Sequence, residues 1–280
     1  MKHNLKITII LVLLFLAAQL IGLIVINHYI SNDLPLNIEK PEMEESTSFV
    51  SIIIGILIAT ILAFILIRFK AMKLWKIWFF ISVVFCLIIS FGAFFIDILA
   101  LALAVIFAFF KIFKPNVYVH NFTELFIYGG LAAIFIPILN LISVSILIIA
   151  IAIYDAIAVW KTKHMIKLAK FQAKSKMFAG LLIKYKSKNI DKQVMNKNNI
   201  KIKEEPQNAI LGGGDIGIPL LFSGVILKTF GMLPALISII VSTIVIASLF
   251  LFAEKKKLYT AIPFLAVGCL ISYILIILFI

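Results

Sequence analysis

Seven long apolar runs decide what this chain can fold into: Ile7–Ile26, Phe49–Ile67, Trp75–Phe110, Phe122–Trp160, Ala209–Phe230, Leu233–Phe252 and Tyr259–Ile280. A helix needs about 20 apolar residues to cross the hydrocarbon core of a bilayer, and five of the runs have that length. The other two are near doubles. Trp75–Phe110 covers 36 residues and holds Gly92 and Asp97 near its middle, where a tight hairpin divides it. Phe122–Trp160 divides the same way at Pro137–Asn140. The reading is an all-α polytopic membrane protein with nine transmembrane helices. The runs are continuous rather than alternating, which excludes a closed β-barrel.

Charge supports the count. The net charge of +13 is carried by lysines between apolar runs, which points to membrane topology and not to a nucleic-acid partner. The N-terminus carries Lys2 and Lys6, and the first loop is acidic, with Asp33, Glu39, Glu42, Glu44 and Glu45. Arg68, Lys70, Lys73 and Lys76 follow in the second loop, Lys111 and Lys114 in the fourth, Lys255, Lys256 and Lys257 in the eighth. Basic and non-basic loops alternate throughout, so the N-terminus is expected in the cytoplasm and the C-terminus outside, in a multi-pass protein of the cell membrane. The first run is too long for a secretory signal and lacks a small-x-small cleavage site before Asn27. Cys86 and Cys269 lie inside apolar runs and imply no disulfide framework.

Three segments follow. Residues 1–160 carry helices one to six, 161–208 form a basic cytoplasmic loop, and 209–280 carry helices seven to nine. The loop holds thirteen lysines against Asp191, Glu204 and Glu205. From Met165 to Tyr185 lysines alternate with Ile, Leu, Phe and Met at helical spacing, which predicts an interfacial helix on an anionic leaflet. Lys186–Gln207 is rich in Asn, Lys and Ser and reads as a flexible linker.

Two acids stand inside the spans. A carboxylate in hydrocarbon costs several kcal/mol by most estimates (about 3 kcal/mol on insertion scales), so it marks a functional site by default. Asp155 lies five residues before Trp160, and Asp215 six residues after Ala209. Consecutive antiparallel helices therefore bring both to roughly 7–9 Å below one boundary. Gly212, Gly213 and Gly214 remove side chains just before Asp215 and permit close backbone approach. Pro219 has no N–H to donate to the Asp215 carbonyl, which a water-filled cavity could satisfy. Two carboxyls held close in low dielectric share a proton: one takes a proton from water while the other polarises a peptide carbonyl.

At Tyr154-Asp155, Gly212-Gly213-Gly214-Asp215 and Pro263-Phe264-Leu265 the chain resembles the presenilin and signal peptide peptidase family, most of all its archaeal members. That family has nine helices, with Tyr-Asp in the sixth, Gly-x-Gly-Asp in the seventh and Pro-Ala-Leu in the ninth. Phe264 stands here where the family has Ala. A literal Pro234-Ala235-Leu236 begins the eighth span, at the wrong end of the membrane. The resemblance implies an intramembrane aspartyl protease acting on single-span helices or remnant signal peptides. Asp155 and Asp215 would be catalytic, and Tyr154, Gly212, Gly214, Pro263, Phe264 and Leu265 would shape the site, the last three helping to hold an unwound substrate as an added strand.

Other residues narrow the field. His3, His28, His120 and His164 are scattered and no His-Glu-x-x-His occurs, so no metal or other cofactor is expected. Asp97 reads as the outer hairpin turn, and Glu124 as an anchor at the start of the fifth span. The alternatives are a prepilin or preflagellin-type peptidase, which has fewer spans, and a proton-coupled transporter using the two acids as a relay.

Overall fold

In hydrocarbon every backbone amide must find its partner within the protein, and these apolar runs meet that demand as helices. The computed structural model describes residues 5–69, 71–161, 177–188, 204–252 and 260–279. Among them are nine helices of 16 residues or more: α1 (Leu5–Ser31), α2 (Ser48–Arg68), α3 (Met72–Gly92), α4 (Asp97–Phe113), α5 (Val117–Phe135), α6 (Leu141–Ala156), α7 (Gly213–Phe230), α8 (Met232–Phe252) and α9 (Ile262–Phe279). Eight are long and apolar enough to cross a membrane, α6 by continuing to Val159. The ninth, α4, has 17 residues, about 26 Å of helix. The protein is a multi-pass membrane protein.

Both double runs divide where the sequence predicts. The α3–α4 turn follows Gly92, and Asp97 opens α4, where its carboxylate accepts from the Leu36 amide at 2.8 Å and ties the first loop to this turn. Pro137 lies in a single 3₁₀ turn after α5. Asn140 then caps α6 in a reciprocal pair with Ser143, which satisfies two otherwise orphaned amides.

The structure differs from the sequence reading in the loop. Gly180–Lys188 and Glu204–Gly212 form an antiparallel pair, β1 and β2, in register from Gly180 opposite Gly212 to Lys188 opposite Glu204. The expected interfacial helix over Met165–Tyr185 is therefore strand from Gly180 onward, and its residues 165–176 lie outside the described residues. The expected linker is strand at both ends, with residues 189–203 outside the description. The division at 208/209 falls inside β2, and the seventh helix starts at Gly213, four residues later than Ala209. The physical reason is side-chain parity: Ala209 and Leu211 are buried while Asn208 and Ile210 are exposed, a period of two that suits a strand and not a helix.

The packing has a centre and an edge. α7 touches α1, α5, α6, α8 and α9. Ser223 on α7 donates to Ser238 on α8 at 3.0 Å, and Ser272 on α9 donates to the same Ser238 at 3.2 Å, a buried polar tie across three helices. α3 and α4 form a second core, with Ala100, Ala104 and Ala108 fully buried along one face of α4. Gly130 lets α5 lie against the Cys86 carbonyl of α3, where a Cβ would collide. α2 stands at the edge and packs chiefly on α6 and α3.

Candidate active site

Asp215 is positioned by a change of backbone state. β2 stays extended to Gly212, whose φ of −65° and ψ of 150° make it the N-cap of α7. The Gly213 amide donates to the Ala179 carbonyl at 3.1 Å, so the ladder reaches one residue past β2 before the helix takes over. Asp215 is then the third helical residue, from which a carboxylate reaches back to the N-cap amide. The Gly212 backbone makes that hydrogen bond. A Cβ on Gly212 would lie 3.2 Å from Asp215 Oδ2, so the glycine leaves the carboxyl room. Pro219 sits inside α7, and its missing N–H leaves the Asp215 carbonyl without its helical donor. The next carbonyl, of Ile216, accepts from Gln19 Nε2 of α1 at 2.8 Å.

Asp155 comes from the other direction. It is the penultimate residue of α6, and the chain then widens into a π-helical turn at Ile157–Lys161. Such turns disrupt the regular ladder and recur at functional sites. Asp155 is 6% exposed. Asp155 and Asp215 line one cavity of about 720 Å³, bounded by α2, α5, α6, α7 and the start of α9. Its walls are mostly apolar, which suits an apolar substrate.

Tyr154, Gly212 and Gly214 line this cavity with them. Gly214 lies close to α9, where a Cβ would sit 3.4 Å from Ile262 Cδ1. Pro263, Phe264 and Leu265 do not line the cavity; Thr260, Ala261 and Ile262 do. Leu265 is in the core and Phe264 is 45% exposed on the outside of α9, so the bulk at Phe264 does not narrow the site. Pro234 and Ala235 open α8, at the end of α7 remote from Asp215.

Sequence reasoning missed a buried polar network beside the cavity. Glu124 is 1% exposed and lies in the second turn of α5, inside the protein and not free at its surface. It pairs with Lys111 of α4 at 2.6 Å and accepts from the Tyr128 hydroxyl and from the Gly180 amide of β1 at 2.8 Å. Tyr128 lines the cavity, and a Cβ on Gly213 would lie 2.7 Å from its hydroxyl. The signal available was the opposite charges of Lys111 and Glu124 on either side of a short loop. Among the described residues no three His, Cys, Asp or Glu side chains converge as a metal site.

The sequence profile of the family described as signal-peptide peptidase, presenilin aspartyl protease matches residues 11–280. No curated protein sequence matches. Among solved structures, a presenilin family intramembrane aspartate protease in a C222 crystal form superposes with a TM-score of 0.65 at 22% identity, over 96% of this chain and 97% of that one. The same kind of protease in a P2 form gives 0.63 at 22%, over 95% of each chain. These likenesses show the fold. The family match spans both aspartates and runs from within α1 to the end of α9, and it favours the protease over a transporter or a prepilin-type peptidase. The protein belongs to the signal-peptide peptidase and presenilin family and is an intramembrane aspartyl protease.

Proposed function

We propose that Asp155 and Asp215 are the catalytic dyad of a Gly-x-Gly-Asp-type protease that cuts single-span helices or remnant signal peptides. The observation that carries this reading is that the two acids, at neighbouring ends of α6 and α7, line one largely apolar cavity. One carboxylate takes a proton from water as its oxygen attacks the peptide carbonyl carbon, while the other carboxyl gives its proton to the carbonyl oxygen. Collapse of the tetrahedral species breaks the C–N bond as a carboxyl protonates the leaving nitrogen. Tyr154, Gly212 and Gly214 shape the site. Pro263, Phe264 and Leu265 act at one remove, by setting where α9 begins behind Thr260–Ile262.

A helix must unwind before its carbonyl can be reached, and β2 offers a template. The Gly213-to-Ala179 bond fixes the parity of the ladder, so Asn208 and Ile210 turn their amides and carbonyls away from β1. A substrate segment added there as a strand would run directly toward Asp215. Loop charge supports an N-terminus in the cytoplasm, a C-terminus outside, and cleavage near the cytoplasmic leaflet, whose anionic lipids would attract the lysines of 161–208.

The test is cleavage of a single-span helix in proteoliposomes by the native chain, Asp155→Ala and Asp215→Ala. A specific product from the native chain that is lost in both variants is expected. Equal product in all three would overturn the dyad.

A further inference from the structure

The first three residues of β1 have their backbone hydrogen bonds closed on both sides of the strand. Leu181 and Ile183 face β2, so Gly180 and Leu182 turn their backbone groups outward. All four of those groups are taken by side chains of α5. The Gly180 amide donates to Glu124 at 2.8 Å, and its carbonyl accepts from His120 Nε2 at 2.7 Å. The Leu182 amide donates to Asn121 Oδ1 at 2.9 Å, and its carbonyl accepts from Asn121 Nδ2 at 2.8 Å. The side chains do what a third strand would do, at the same spacing.

The arrangement is anchored from behind. With Nε2 donating to Gly180, His120 Nδ1 is an acceptor, and Lys111 Nζ lies 3.3 Å from it. Lys111 also donates to Thr123 Oγ1 at 3.1 Å and to Glu124 at 2.6 Å. One buried ammonium thus orients two of the three groups on β1. Gly180 has a φ of +135°, and a Cβ there would strike the Leu211 carbonyl, so the strand enters this grip at a point only glycine can occupy.

We propose that His120, Asn121 and Glu124 form a clasp of positioning residues that fixes β1, and through β2 the Gly212–Asp215 junction, so that one peptide bond is presented to the acids. The inference rests on the protease reading above. It also assigns the hairpin a polarity at the end near Asp215: there β1 is closed by α5 at Gly180 and Leu182, and the edge left for a substrate strand is that of β2.

The test compares four full-length proteins in proteoliposomes: the native chain, Asn121→Ala, Lys111→Met with Glu124→Met, and Lys111→Met with Glu124→Gln. The Met pair removes the buried charges together and leaves no orphaned ion, which preserves folding. The Gln variant returns an acceptor to the Gly180 amide. Amide exchange at Gly180 should rise about tenfold or more in the Met pair and return to native in the Gln pair, and Asn121→Ala should do the same at Leu182. Products of a single-span test helix, mapped by mass spectrometry, should spread over neighbouring bonds in Asn121→Ala and the Met pair. Their kcat per folded enzyme should fall about tenfold with KM nearly unchanged, since misplacement by an ångström suffices for that. The Gln pair should restore the single cut. Unchanged exchange would overturn the clasp. Faster exchange with native cut sites and kcat would overturn its positioning role. A native chain that cuts nothing would instead sink the protease reading, and exchange alone would then decide the clasp.

Discussion

α7 and α2 both border the cavity that holds the two aspartates, and they are held in opposite ways. Of the apolar window in α7, 56% of residues are buried; in α2 the share is 6%. α7 is packed by five helices, hydrogen-bonded to α8 through Ser223 and braced by Gln19 of α1. α2 offers Ile52 and Ile56 to the cavity and turns Ile54, Ile58, Ile61 and Leu62 outward. The acid is thus set in a fixed wall, while the facing wall is loosely attached. On the proposed reading, in which Asp215 is held still while a helix enters from the bilayer, this asymmetry is what the site needs.

The contrast can be broken most sharply at Gly213. Gly213→Val forces a side chain against the Tyr128 hydroxyl, and single-turnover cleavage should fall about a hundredfold while the helical circular dichroism is retained. Gln19→Leu deprives the buried Ile216 carbonyl of its donor and should destabilise by about 2 kcal/mol, seen as a lower melting temperature in detergent. Ser238→Ala removes the acceptor shared by Ser223 and Ser272, and about 1 kcal/mol should be lost in the same assay. On α2 the effects should nearly vanish. A Cβ added at Gly55 would meet nothing within 4 Å, so Gly55→Ala should shift stability by only about 0.5 kcal/mol, toward gain. A loss at Gly55 as large as that at Gln19 would show that the α2 wall is as fixed as α7.

What the sequence disclosed and what it hid divide along physical lines. Helices were legible because apolar length alone forces them in hydrocarbon, and Gly92, Pro137 and Asn140 mark where the doubled runs turn. Asp155 and Asp215 were legible because each lies inside a run away from any predicted turn, with Tyr154 or the three glycines beside it, whereas Asp97 and Glu124 lie where a turn or a span boundary is expected. The strand pair was not, because Gly180 and Gly212 meet only through a pairing 32 residues apart, and Ala209–Leu211 reads equally well as the start of a span. Lys111 and Glu124 each look like boundary charges until the fold buries them together. Pro263-Phe264-Leu265 was found as a motif, but which residues face the cavity depends on where α9 begins.

The short α4 has a consequence for the surrounding lipid. Its 17 residues cover about 26 Å, less than the ~30 Å of an average hydrocarbon core. Where the surrounding core exceeds the length of α4, the bilayer dips along this flank or the helix is drawn out of line, at a fraction of a kcal/mol per ångström. Lys111 lies two residues from the end of α4, on this flank. Lengthening the acyl chains would strain this flank, and through Lys111 membrane thickness becomes a variable that reaches the hairpin without touching either aspartate.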